Sequence, residues 1–198
     1  MKYPDNIKEL SKLPVHFMGM IFYGKSPRHA DELKMDNINV LSSFTKRVGV
    51  FVDADIDVIM EMVNKYNLDL VQLHGKETVE FCKELNKTMP VIKAFNISEA
   101  ADFEQTKLYE DACNYFLFDT KTLQHGGSGQ KFDWDILIAY KGNTLFFLSG
   151  GISPEDADRI KEIQHPKLYG IDLNSRFETA PGLKNIESIE QFINDLTV

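Results

Sequence analysis

Short apolar runs recur along the chain, and most of them are nearly continuous rather than alternating with polar residues. A strand that is buried on both faces has this pattern, because neither set of its side chains faces water. The sequence therefore predicts seven buried strands. They fall at residues 16–23, 47–52, 70–73, 91–95, 115–119, 145–150 and 169–173.

Helical patterns lie between these runs. Residues 53–66 carry four apolar side chains on one helical face, namely Ile59, Met62, Val63 and Tyr66. In residues 153–163, Ser153 is a suitable N-cap and Pro154 suits the first helical position. A last helix is predicted at 185–196.

Strands that alternate with helices predict right-handed crossovers and a parallel sheet. Seven strands that recur every ~20–30 residues favour a (β/α) barrel over an open sheet of five or six strands. We therefore predict one α/β domain over residues 1–198. The first element, residues 4–13, is predicted as a helix with Asp5 as a possible cap. A barrel of strand–helix units should begin with a strand, so we expect the chain to start after it.

Composition narrows the possible functions. The net charge of −8 leaves no basic stripe for nucleic acid, although backbone N–H groups at a helix start can still hold a small anion. No run is long enough to span a membrane, and the N-terminal residues lack the apolar core of a signal peptide. The two cysteines, Cys82 and Cys113, lack metal-ligand spacing and are too few for a disulfide framework. We expect a cytoplasmic protein without membrane or nucleic-acid partners.

Glycine-rich and small polar segments follow several predicted strands. Gly150 and Gly151 lead directly into a helix start, where backbone N–H groups and the helix dipole favour a phosphate. The same pair is also compatible with a simple tight turn that needs glycine. The phosphate interpretation gains support from the polar end of the last strand, residues 172–175, because barrels frequently bind phosphate between these two loops. The glycine loop at 126–129 is a third candidate, or a linker.

Three side chains at the predicted strand ends are candidates for chemistry. Asp119 ends a buried strand, where it either caps the next loop or acts as a general acid that holds its proton near neutral pH. Arg28 either pairs with a ligand carboxylate or lies in a surface loop. His74 either contacts a ligand or, as the sequence favours, bonds to a neighbouring loop.

The combined motifs resemble those of the phosphoribosylanthranilate isomerase family of tryptophan biosynthesis, and the resemblance spans almost the whole chain. The family implies a TIM (β/α)8-type barrel without metal or organic cofactor, and an Amadori rearrangement of a phosphorylated small molecule. The motifs that carry the resemblance lie at residues 19–28, 48–53, 71–75, 91–95, 118–134, 148–155 and 172–184.

The resemblance implies a role for each matching position. Asp119 matches the general acid, which protonates the furanose ring oxygen, and Arg28 matches the arginine that orients the anthranilate part. We expect His74 to be a further substrate contact. The positions that match the phosphate loops are Gly127, Ser128, Gly129, Gly150, Gly151, Asp172, Asn174 and Ser175.

One family feature is absent from the sequence. Family members begin with a strand that ends in Lys-x-Cys-Gly, and the cysteine of this motif is the general base. Residues 1–4 of this chain resemble the segment just after the motif. Neither Cys82 nor Cys113 is a convincing substitute. We expect a truncated chain that is nearly inactive, since a general base contributes on the order of 10²–10⁴ in rate. We also expect open strand edges at the gap.

Two alternatives to the isomerase remain open at this point. The first is a barrel that binds a phosphorylated ligand without catalysis. The second is another sugar-phosphate isomerase or synthase on the same fold. The sequence leaves both a monomer and a homodimer possible.

Overall fold

The strands predicted from the apolar runs are present in the computed structural model, which describes residues 1–30, 33–42, 44–120 and 133–197. Each strand pairs in parallel with the next one along the chain, so the sheet order equals the chain order. The strands are β1 (Phe17–Ile21), β2 (Lys46–Phe51), β3 (Leu70–Leu73), β4 (Val91–Ile97), β5 (Tyr115–Thr120), β6 (Leu145–Ser149) and β7 (Leu168–Ile171).

Helical segments connect the strands, as the alternating pattern predicts. The α-helices are α1 (Pro4–Leu10), α2 (Met35–Ile38), α3 (Ile56–Tyr66), α4 (Val79–Asn86), α5 (Ala157–Lys161) and α6 (Ile186–Thr197). The 3₁₀ segments span Ala100–Tyr109, Trp134–Ala139, Pro154–Asp156 and Ser175–Phe177. A small antiparallel hairpin, β8 (Glu178–Ala180) and β9 (Leu183–Lys184), precedes α6.

The caps of two helices can be compared with the sequence predictions. Ser153 is confirmed as an N-cap, and its N–H and hydroxyl donate to the Asp156 carboxylate at 2.9 and 2.7 Å. The prediction for Asp5 is wrong, because Tyr3 occupies the N-cap of α1 and Asp5 lies in the first turn. Pro4 begins this helix, where its missing N–H removes no helical hydrogen bond.

The curled sheet buries apolar side chains on both faces. An inner cluster fills the side away from the helices and contains Val48, Leu70, Ile92, Ala94, Leu117 and Phe147. A larger outer cluster lies between the sheet and the helices, with residues such as Phe116 and Phe118 from β5. Burial of both faces is the reason that the strands have continuous apolar sequences.

The sheet has two edges. Among the described strands, β1 pairs only with β2 and β7 only with β6, so the ladder does not close between β1 and β7. The expected seven-stranded barrel-type sheet is therefore confirmed. All its strands run in one direction, which brings their C-terminal ends together along one border of the sheet. We call this border, with the loops that follow it, the rim.

Candidate active site

Asp119 lies at the rim and faces the inside of the curled sheet. Residues two apart on a strand face the same side, and Leu117 belongs to the inner cluster. Asp119 therefore projects toward the interior at the end of β5. It is 8% exposed and lies in register with Asn96 on β4 and Ser149 on β6. An acid that the sequence placed at the end of a buried strand thus borders the mouth of the barrel.

His74 lies beside Asp119. Its Nε2 is 3.6 Å from Asp119 Oδ2, a distance for an ion pair rather than a good hydrogen bond. Its Nδ1 is 3.1 Å from the amide nitrogen of Gln72. Because an amide nitrogen only donates, Nδ1 accepts and the ring proton of a neutral His74 is on Nε2, facing Asp119. The backbone N–H of His74 also donates to the carbonyl of Phe51 at 2.8 Å, a bond to a neighbouring strand.

The next pair along the rim joins β6 to β7. The Ser149 hydroxyl donates to Asp172 Oδ2 at 2.8 Å, and the Asp172 N–H donates to the Leu148 carbonyl. Gly150 and Gly151 follow with φ values of 95° and 68°, a region that favours glycine. A Cβ on Gly151 would meet no atom within 4 Å, so backbone conformation rather than crowding requires glycine there.

A partly buried lysine that sequence reasoning missed contacts the loop after β7. Lys184 Nζ donates to the Leu173 carbonyl and to Asn174 Oδ1, both at 3.0 Å, and lies 3.2 Å from Glu178 Oε1. Burial lowers the pKa of Lys184, against the opposing effects of Glu178 and Asp172. The predicted phosphate position Asn174 is thus already bound to a cation, and Ser175 begins the 3₁₀ segment that follows.

Arg28 pairs with Glu178, across 150 positions of sequence. Arg28 Nε is 2.8 and 3.1 Å from the two carboxylate oxygens, and Nη2 is 2.7 Å from Oε2. Burial acts to raise the pKa of Glu178, but its hydrogen bond from Arg28 and the charge of Lys184 outweigh burial and lower that pKa. The side chain of Arg28 is 24% exposed, whereas that of Glu178 is 4% exposed. Sequence reasoning missed this partner because nothing local to Arg28 signals it.

The remaining residues that the sequence singled out are not among the described residues of this part of the rim. Gly127, Ser128 and Gly129 lie outside the described residues. Cys82 is buried in α4 and Cys113 is buried just before β5, at the border of the sheet opposite to the rim. In the described ranges, no three His, Cys, Asp or Glu side chains are grouped so that they could hold a metal ion. None of the helices within those ranges is both long and apolar enough to span a membrane.

The fold and the rim define a class of protein, a parallel (β/α) barrel with a carboxyl group, a histidine and partly buried cations at its C-terminal rim. The family model described as N-(5'phosphoribosyl)anthranilate (PRA) isomerase matches residues 1–195. The chain belongs to this family. The resemblance found in the motifs is therefore confirmed.

Individual relatives agree with the family match. An N-(5'-phosphoribosyl)anthranilate isomerase from Parabacteroides distasonis is 47% identical over 201 residues, which cover 99% of this chain and 90% of the relative. The crystal structure of phosphoribosyl anthranilate isomerase from Thermotoga maritima has a TM-score of 0.88 and 31% identity, and covers 100% of this chain and 95% of its own. Another crystal structure of such an isomerase contains reduced 1-(o-carboxyphenylamino)-1-deoxyribulose 5-phosphate, with a TM-score of 0.83, 28% identity and the same coverage.

Proposed function

We propose that this chain converts N-(5-phosphoribosyl)anthranilate to 1-(2-carboxyphenylamino)-1-deoxyribulose 5-phosphate, a step of tryptophan biosynthesis. The observation that carries the proposal is the position of Asp119, an acid on the inner face of a parallel barrel at its C-terminal rim. Active sites of this fold lie at that rim. The family match and the relatives named above support the same reaction.

Asp119 acts as the general acid. Its carboxyl proton moves to the ring oxygen of the ribose as the bond between that oxygen and C1 breaks, and the nitrogen lone pair forms a C=N bond to C1. Loss of a proton from C2 then gives an enolamine. Gain of a proton at C1 and loss of the 2-hydroxyl proton give the aminoketose, so the proton that Asp119 donated is recovered. Hydrogen moves from C2 to C1 overall, so the reaction consumes no oxidant. His74, 3.6 Å from Asp119, contacts the substrate beside the acid.

Arg28 orients the anthranilate part of the substrate. The contacts with Glu178 involve Nε and Nη2. A guanidinium carries five N–H donors, so Nη1 and the second hydrogen of Nη2 are the donors that we assign to the anthranilate carboxylate. In this proposal Glu178 holds the plane of the guanidinium while its outer edge meets the ligand.

The phosphate group binds between the loops after β6 and β7. Positive φ at Gly150 and Gly151 supports this assignment, because such backbone can turn successive N–H groups toward an anion. Asn174 and Ser175 supply polar groups from the opposite loop, and Lys184 adds positive charge next to Asn174. The loop at Gly127–Gly129 is the third part of the proposed phosphate site. A cytoplasmic location and a monomeric or homodimeric state also stay predictions.

The test is turnover of N-(5-phosphoribosyl)anthranilate by the purified chain at high enzyme concentration, because we expect a slow rate without the family's general-base cysteine. The product is identified by chromatography and mass. Asp119→Asn keeps the shape of the side chain but cannot donate the acid proton, and we expect a loss of about 10²–10⁴ in kcat. Turnover that is unchanged in Asp119→Asn would contradict the assignment of the acid.

Binding separates the isomerase from the two alternatives. The probe is reduced 1-(o-carboxyphenylamino)-1-deoxyribulose 5-phosphate, with titration calorimetry as the measurement. A chain that binds this probe but turns over no substrate supports the non-catalytic phosphate-binding barrel. A chain that does not bind the probe but isomerises a different sugar phosphate supports the second alternative, another sugar-phosphate isomerase on the same fold.

A further inference from the structure

A buried ion pair lies on the far side of the sheet from the site. Lys93 Nζ is 3.2 Å from Glu77 Oε2, and the two side chains are 4% and 2% exposed. The ammonium also donates to three backbone carbonyls, those of Gly75 at 2.8 Å, Ala94 at 3.1 Å and Leu73 at 3.3 Å. We call Lys93 and Glu77 the inner pair because both side chains are almost fully buried. They lie on the other side of the sheet from the inner cluster.

The inner pair grips the backbone on both sides of His74. Lys93 binds the carbonyls of Leu73 and Gly75, the two residues that flank the histidine. The Gly75 N–H donates to both oxygens of Glu77, at 3.1 and 3.2 Å. The peptide groups before and after His74 are therefore each fixed by a hydrogen bond. With both fixed, the direction in which the imidazole leaves the backbone is fixed as well.

Glu77 also connects this segment to the end of β2. Its Oε1 accepts the N–H of Asp53 at 3.0 Å, while Asp53 Oδ1 accepts the N–H of Lys76 at 2.5 Å. The two loops approach so closely that a Cβ at Gly75 would collide with the carboxylate and the backbone nitrogen of Asp53. The rim ends of β2 and β3 thus meet at the buried Glu77 carboxylate, which pairs with the buried Lys93 ammonium of β4.

Neither member of the inner pair is placed to touch a substrate. Lys93 lies on β4 between Ile92 and Ala94, which belong to the inner cluster, so its side chain leaves the opposite, helix-covered face. His74 follows Leu73, which belongs to the outer cluster, and neighbouring residues of a strand face opposite sides. His74 therefore faces the inside, like Gln72 and Asp119. The ammonium has three hydrogens and four oxygen atoms within 3.3 Å, so its donors are used within the protein.

We propose that Lys93 and Glu77 are positioning residues, which hold the backbone around His74 so that its imidazole meets Asp119 at the inner face of the rim. The inference rests on the proposed isomerase function for its kinetic consequence, and on geometry alone for the placement of His74. A buried pair suits this task because a single ammonium can bind several carbonyls at once in a site without competing water.

The test compares Lys93→Met with Thr45→Val, which also removes a buried hydrogen bond. Thr45 is 4% exposed and its hydroxyl donates to Val15, near the opposite border of the sheet. We expect Lys93→Met to lower kcat by about 10²-fold while KM changes little, because a displacement on the order of 1 Å has this effect on a reacting geometry. The imidazole NMR signals of His74, assigned with His74→Gln, should shift in Lys93→Met only. A folded Lys93→Met with unchanged His74 signals and kcat overturns the proposal.

A second variant decides the matter if Lys93→Met does not fold. Glu77→Gln/Lys93→Met has no buried charge, and Oε1 of the new glutamine can still accept the N–H groups of Asp53 and Gly75. The carbonyls beside His74 lose the ammonium that binds them, so we expect shifted His74 signals. The loss of kcat should be smaller than in the single variant Lys93→Met. Unshifted signals in this folded variant overturn the proposal. A wild-type chain that shows no turnover even at high enzyme concentration, where the slow rate expected without the general-base cysteine is still measurable, contradicts the proposed function. The His74 signals then still decide the positioning claim.

Discussion

Two groups of charges, one buried and one partly buried, lie near the same rim, and they differ in what they leave for a ligand. The inner pair, Lys93 and Glu77, contains one cation and one anion, both almost fully buried. The second group, which we call the rim cluster, consists of Arg28, Glu178 and Lys184, so two cations share one carboxylate. Arg28 keeps 24% of its side chain exposed.

The difference in charge balance and exposure indicates different roles for the two groups. Buried charges without their partners are costly, so a balanced and hydrogen-bonded pair such as the inner pair is suited to holding backbone in place. The rim cluster has more positive than negative charge among its three members, and its most exposed member is an arginine. A phosphorylated carboxylate ligand can use such an excess of positive charge. Under the proposed function, this difference supports a structural role for the inner pair and ligand binding by the rim cluster.

The largest effect on stability is expected when the inner pair is broken from one side. Lys93→Met leaves the Glu77 carboxylate buried without its cation, and removal of one partner of a buried pair costs about 3–5 kcal/mol. Urea unfolding followed by circular dichroism measures the loss. The control is Glu77→Gln/Lys93→Met, which we expect to recover most of the stability because no buried charge remains. A double variant as unstable as the single one would show that the charge is not the cause.

The strands and the charged groups also differ in how far the local sequence predicts them. The seven strands follow from continuous apolar runs, because burial of both sheet faces leaves a local signature in each segment. Asp119 was found as a carboxylate that ends such a run, and Gly150 and Gly151 as a glycine pair before a helix start. Each of these positions is defined by its neighbours in sequence, a strand before Asp119 and a helix start after the glycines. The local sequence was therefore enough to predict where they lie in the fold.

The partners of the charges could not be predicted in this way. Glu178 is 150 positions from Arg28, and Lys184 meets Asn174 only because the β8–β9 hairpin folds back. Lys93 lies within an apolar run, where a single lysine resembles an edge residue until its buried partner, Glu77, is located. Long-range pairs depend on which loops the folded chain brings together, and short-range patterns do not encode this.

A smaller effect is expected when the rim cluster loses its carboxylate. Glu178→Gln keeps the shape of the side chain but leaves two cations without their anion, which we expect to cost about 1–3 kcal/mol. The loss is smaller than for the inner pair because Arg28 retains contact with solvent. We also expect a raised KM for the phosphorylated substrate, since the guanidinium plane is no longer held. Urea unfolding and steady-state kinetics measure the two effects, and a loss equal to that of Lys93→Met would erase the distinction between the groups.

The contribution of Glu178 should also depend on pH. Its pKa in the folded protein is lower than the ordinary value of 4.5, despite burial, because Arg28 and Lys184 stabilise the charged form. The unfolded chain therefore takes up the proton first as the pH falls, and this group's stabilisation is complete above about pH 4.5 and declines below it. The stability difference between wild type and Glu178→Gln, measured by urea unfolding in a series of buffers, should be constant from neutral pH to about that value and then shrink. A difference that shrinks well above it would point to another group.

The smallest effect is expected for an ion pair that shares only its chemistry with the inner pair. Lys107 Nζ lies 2.6 Å from Glu104 Oε2, closer than in the inner pair, but the two side chains are 64% and 70% exposed. Exposed pairs contribute roughly 0.2–1 kcal/mol, because water screens the charges and solvates either one after the other is removed. Lys107→Met, the same substitution as at Lys93, should therefore change the unfolding free energy by less than about 1 kcal/mol and leave kcat unchanged. A loss as large as that of Lys93→Met would mean that proximity of charge, rather than burial and the grip on the backbone, distinguishes the inner pair.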